Sequence, residues 1–212
     1  MKKITLLFVT VALLLACKKN EDLNESIPST PVAIQAIDLT TSSFTAKWNE
    51  VSNATSYEIE LAKDSYFNMM VTTESSNSNS FGFTNLSSNI RYFYRVRAKN
   101  DVGVSENSNT INAFTLPEPP IVMSATAVSN TGFTVNWKWS QSITTYLLYI
   151  STEDFPHDDS KNISAYNGKT VVSNTHIVSG LNSSTKYYYV LRAANGSNIS
   201  ANSNTISCTT TN

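Results

Sequence analysis

Apolar and polar residues alternate along much of this chain. Phe44, Ala46 and Trp48 are separated by Thr45 and Lys47, and the same spacing of two returns in Tyr57, Ile59 and Leu61 and in Tyr92, Tyr94, Val96 and Ala98. Side chains two apart lie on one side of an extended strand, so each run has one face for a core and one for solvent. Clusters of Ser, Asn and Thr separate the runs, as turns require. The pattern predicts an all-β chain of short antiparallel strands.

The pattern is then repeated. Ser43-Phe44-Thr45-Ala46-Lys47-Trp48 returns as Gly132-Phe133-Thr134-Val135-Asn136-Trp137, and Tyr57 as Tyr146, both at an offset of 89. Leu86 to Tyr94 returns as Leu181 to Tyr189 at an offset of 95, so the second copy carries six extra residues between these blocks. Asn107-Ser108-Asn109-Thr110-Ile111 recurs without change as Asn202-Ser203-Asn204-Thr205-Ile206. Two similar β-sandwiches in series follow from this self-similarity.

These residues resemble the fibronectin type III family in three marks: the Trp of the second strand, the Tyr of the third, and a Leu six residues before a Tyr that opens the sixth. Leu86, Tyr92, Ala98 and Asn100 carry the last mark in the first copy, and Leu181, Tyr187, Ala193 and Asn195 in the second. The resemblance implies two tandem immunoglobulin-like sandwiches, 28–116 and 117–212. It also implies tyrosine corners, in which Tyr92 and Tyr187 bond back to the backbone near the Leu. Pro117-Glu118-Pro119-Pro120 opens the second unit, and a proline-rich junction this short is semi-rigid. No Arg-Gly-Asp occurs, so integrin binding of the animal type is not implied.

The first sixteen residues differ from everything after them. Met1-Lys2-Lys3 leads into thirteen mostly apolar residues, too few to span ~30 Å of hydrocarbon, which is the form of a secretory signal peptide. Its end, Leu14-Leu15-Ala16-Cys17, resembles the bacterial lipobox. That resemblance implies cleavage before Cys17, and a diacylglycerol and an acyl chain on Cys17 that anchor the protein to membrane. Lys18, in place of an Asp after the Cys, implies the outer membrane, and Lys18-Lys19-Asn20-Glu21-Asp22 resembles a surface-export tether. Residues 17–27 read as a flexible tether.

Composition narrows the chemistry. The chain has 15 Lys+Arg, 16 Asp+Glu, two His and two Cys. Cleavage would remove Lys2 and Lys3, leaving 13 basic against 16 acidic residues, a net charge of -3. No basic field for nucleic acid is expected, and zinc or thiol frameworks lack ligands. The cluster Glu153-Asp154-Phe155-Pro156-His157-Asp158-Asp159 lacks the alternating acids and Gly of a calcium loop and reads as a solvated loop. No metal, no cofactor beyond the lipid and no catalytic constellation are expected. Cys208, on the inward parity, reads as a core filler.

A contact surface is the remaining candidate. On the outward face of strands three and six, the first copy carries Glu58, Glu60, Phe93, Arg95 and Arg97, able to pair charges across strands. The second carries Leu147, Tyr149, Tyr188, Val190 and Arg192, an apolar and aromatic face suited to interdomain packing, a sister copy or a partner. Trp139 continues the inward parity past the strand end and is expected to cap the core or project near Phe155 and Tyr166. The expectation is a non-enzymatic envelope lipoprotein, serving as spacer and binding module for protein or polysaccharide, or as an accessory subunit of an envelope assembly.

Overall fold

A computed structural model describes residues 26–140, 142–156 and 159–212. The signal peptide, Cys17 and most of the tether lie outside the described residues, as do His157 and Asp158. The first domain contains β1 (Ala33–Ile37), β2 (Phe44–Trp48), β3 (Ser56–Ala62), β4 (Met70–Ser76), β5 (Ser80–Phe83), β6 (Arg91–Lys99) and β7 (Ile111–Phe114). The second contains β8 (Val122–Thr126), β9 (Phe133–Trp137), β10 (Thr145–Ser151), β11 (Asn162–Val171), β12 (Thr175–Val178), β13 (Lys186–Asn195), β14 (Asn198–Ile199) and β15 (Ile206–Thr209).

Each domain is a sandwich of two antiparallel sheets. In the first, β1-β2-β5 faces β4-β3-β6-β7; in the second, β12-β9-β8 faces a sheet in which β11, β10 and β13 are joined by β14 and β15. The period-two residues close inward. Phe44, Ala46, Trp48, Ile59, Tyr94 and Val96 form one core with no more than trace exposure, and Phe133, Val135, Trp137, Leu148, Tyr189 and Leu191 form the other. Backbone irregularities recur at the sequence offsets. Asp38 and Ala127 both have positive φ after a register shift in β1 and β8, and Asn85 and Asn89 match Gly180 and Ser184. The copies therefore share bulges and corners as well as strands.

Tyrosines connect the layers. Ser87 N–H donates to the Tyr92 hydroxyl (3.0 Å) and Asn182 N–H to that of Tyr187 (2.9 Å), forming the two corners. A buried Thr completes each: Thr115 Oγ1 donates to Ser87 O and accepts from Ile90 N–H, and Thr210 does the same with Asn182 O and Thr185 N–H. The Tyr57 and Tyr146 hydroxyls accept from Val51 and Ser140 N–H, fixing the loop after β2 and β9 against Trp48 and Trp137. Across the core, the Tyr94 hydroxyl donates to Ile34 O on the opposite sheet, and Tyr189 donates to Met123 O at 3.0 Å.

The unchanged Asn-Ser-Asn-Thr-Ile segment has a structural cause. Asn109 Oδ1 accepts from Ala33 N–H and its Nδ2 donates to Ala33 O, both at 3.0 Å; Asn204 makes the same two bonds with Val122 at 2.9 Å. One amide side chain thus replaces a strand partner along the outer edge of β1 or β8 and links the sheets. Ser108 and Ser203 extend the substitution, their hydroxyls accepting from Val96 and Leu191 N–H.

Contacts at the domain ends refine the expected boundaries. Ser26 O accepts from Asn53 Nδ2 (3.1 Å) and Asn100 Nδ2 (2.9 Å), so the end of the segment read as tether is tied to the first sandwich. Leu116 N–H donates to Thr40 O, so ordered pairing with the first domain continues up to Pro117. Substituting Asn204 by Ala leaves buried Val122 N–H and C=O without partners and is expected to destabilise the second domain by about 1–3 kcal/mol. Urea unfolding with hydrogen exchange checks this: the Val122 amide should exchange faster while Ala33 stays protected, and unchanged protection at Val122 would refute the role.

Candidate functional site

The outward face of β10 and β13 corrects an expectation. Parity does place Leu147, Tyr149, Tyr188 and Val190 on that side, yet Val190 is 0% and Tyr149 only 7% exposed, while Leu147 and Tyr188 are half-buried. Cations cover the two tyrosine rings. Arg192 lies over the Tyr149 ring at 4.6 Å, with its Nε held by Asn202 Oδ1 at 2.6 Å, and Lys186 lies over Tyr188 at 4.8 Å. Gly168, at φ +75, brings the bulged β11 against the Tyr149 ring. This face is thus no open aromatic platform.

The first domain covers its matching face by different residues. Arg95 pairs with Glu60 (2.5 Å), and Arg97 with both Glu58 and Glu60 (2.8 and 3.0 Å). Arg95 also lies 4.0 Å from the centre of the Phe67 ring, which is buried beneath it. Phe67 sits in a turn built on Asp64, whose carboxylate accepts from Tyr66, Asn68 and Met69 N–H. Desolvation acts upward on Asp64, but these donors outweigh it and hold the carboxyl below its ordinary value. Sequence reading missed Phe67 because its position in a turn gives it no strand parity.

Trp139 meets the end of the second core, away from Tyr166. It contacts Tyr146 edge-on at 6.1 Å, at the end of β10 that pairs with Val171. Tyr166 belongs towards the other end, its hydroxyl bonded to Ser179 and its ring edge-on to His176. Burial and then Lys169 hold the His176 imidazole below its usual range, as befits a packed ring. Cys208 is partly buried against the second core, and that burial pushes its thiol up. Of the acidic loop, Glu153 pairs with Lys161 and Asp159 accepts from Asn162. No group of three or more potential metal ligands gathers among the described residues.

Trp139 instead opens onto the domain junction. A crevice of about 620 Å³ is walled by Ser88, Asn89 and Ile90 of the first domain, by Pro117 to Pro119 and Ile121, and by Lys138, Trp139, Ser140 and Ile143 of the second. Trp139 is 51% exposed there, whereas Trp48 and Trp137 are fully buried. A hydrogen bond from Asn195 Nδ2 to Asn89 Oδ1 (2.8 Å) crosses between the domains. Sequence parity ends at the strand, so it could not report that this indole faces the neighbouring domain.

A family model described as the fibronectin type III domain matches residues 29–114 and again 118–209. The chain belongs to the fibronectin type III family. A two-domain fibronectin type III segment of chicken tenascin is 17% identical, covering 85% of this chain and 99% of its own, with a TM-score of 0.50. A crystal structure of chicken CNTN1 FN1–FN3 domains is 16% identical, covering 88% of this chain and 69% of its own, with a TM-score of 0.45. Fibronectin type III domains are commonly structural or binding modules, and are typically non-catalytic. In this tandem pair, the exposed tryptophan lies between the two domains, whereas Trp48 and Trp137 are buried. Acrylamide should therefore quench a single tryptophan of the three, and Trp139→Phe should abolish that quenchable emission; strong quenching in the variant would refute the assignment.

Proposed function

We propose that this tandem fibronectin type III protein is a lipoprotein of the bacterial outer membrane, held by acyl chains on Cys17 and non-enzymatic, that acts as a spacer and binding module for protein or polysaccharide. The half-exposed Trp139 in the junction crevice carries the binding part of this reading. A large rigid aromatic set among serines, an amide and two charges suits recognition of a partner more than packing within the fold. The lipobox residues Leu14-Leu15-Ala16-Cys17 support anchoring, and Lys18 supports the outer membrane. Two sandwiches in series behind such an anchor hold the junction away from the lipid surface.

A second reading makes the chain an accessory subunit that positions another protein. The turn between β3 and β4 and the start of β4 favour it: Tyr66, Met69, Met70 and Val71 are close in sequence, and all are exposed. Both readings need the anchor. In cells fed labelled palmitate, the protein should carry label and sediment with outer membranes, and Cys17→Ser should lose the label and accumulate as precursor. Undiminished labelling of the Cys17→Ser variant would sink the anchoring claim.

A further inference from the structure

The geometry of the junction points to a ligand class: we infer that the crevice binds a short, uncharged saccharide stacked on Trp139. This rests on the binding-module reading and names the ligand of that same site. The volume, about 620 Å³, falls within the ~300–1,000 Å³ of small-ligand sites. Tyr146 supports the indole edge-on, so the exposed ring is held in place while part of it stays accessible.

The polar groups around the ring define what it can take. Glu118 and Lys138 both line the crevice, and neither belongs to an ion pair among the described residues. Their charges cancel, so the crevice has no net preference for an anion or a cation. Asn89 spends its Oδ1 on Asn195, which leaves its amide N–H groups for a ligand. A pyranose matches this set. Its C–H face covers an indole, and its hydroxyls both donate, as Glu118 requires, and accept, as Lys138 and Asn89 require. Apolar side chains laid over Glu118 and Lys138 would strip their water and return no partners, a cost a sugar avoids. A polyanion would meet Glu118 and a chain of net negative charge.

The walls come from both domains, so the crevice depends on how the domains meet, and the Asn195–Asn89 hydrogen bond crosses that junction. Asn195 is accordingly a positioning residue, and Trp139 the contact.

The test is a glycan array probed with the full lipoprotein in detergent, followed by calorimetric titration with the neutral oligosaccharide retained best. Retention of neutral oligosaccharides is expected, with affinity falling about ten-fold or more in Trp139→Ala at an unchanged unfolding midpoint. Asn195→Ala should weaken binding several-fold without changing which glycans are retained. No retained neutral glycan, or equal affinity in Trp139→Ala, overturns the saccharide assignment. A photo-crosslinker at position 88, on the crevice wall opposite Trp139, separates the two levels in living cells. A protein adduct without glycan binding leaves the binding-module reading standing and removes the sugar, whereas neither adduct nor glycan removes both.

Discussion

Each sandwich depends on a tyrosine hydroxyl that crosses its core. Tyr94 reaches from β6 to the carbonyl of Ile34 on β1, and Tyr189 from β13 to that of Met123 on β8. Apolar packing between sheets is strong but non-directional, so it resists separation better than it fixes relative position. No disulfide joins the sheets among the described residues, where Cys208 is free. A directional, partly buried bond between them therefore helps set β1 and β8 against the opposite sheet, together with the amides of Asn109 and Asn204. Burial first, and then the neighbouring Cys208, push the Tyr189 phenol well above its usual range, so it remains a donor at any ordinary pH.

Other polar contacts build on that placement. Once β1 and β8 are positioned, their outer backbone edges come within reach of Asn109 and Asn204, which satisfy Ala33 and Val122 in place of a strand. The corners at Tyr92 and Tyr187 place the loops before β6 and β13, and the first of these loops supplies Ser88, Asn89 and Ile90 to the crevice. Hydrogen bonds inside the first core thus position one wall of the candidate site, and Tyr146 braces the aromatic on the other.

Alternation and self-similarity made the strands, the two sandwiches and their cores readable, because one buried face per strand leaves a period of two. The corner tyrosines were readable through family resemblance. The function of Asn109 and Asn204 was not, although their unchanged recurrence was the signal; side chains that stand in for backbone leave no hydropathy pattern. Leu147, Tyr149, Tyr188 and Val190 were readable as an outward contact face, but the cover over their rings was not, for a related reason. Parity reports which side of a sheet a residue takes, and is silent about an arginine or lysine laid across the ring. Trp139 belongs to a junction of two domains, which no pattern within one copy describes.

The most direct test of the core account is to remove the two hydroxyls alone. Tyr94→Phe and Tyr189→Phe keep the rings and leave Ile34 O and Met123 O without their donors. Each should lose about 1–2 kcal/mol in urea unfolding, with faster amide exchange confined to β1 in the first variant and β8 in the second. Stability equal to or above the parent in both variants would contradict the claim that these bonds position the sheets.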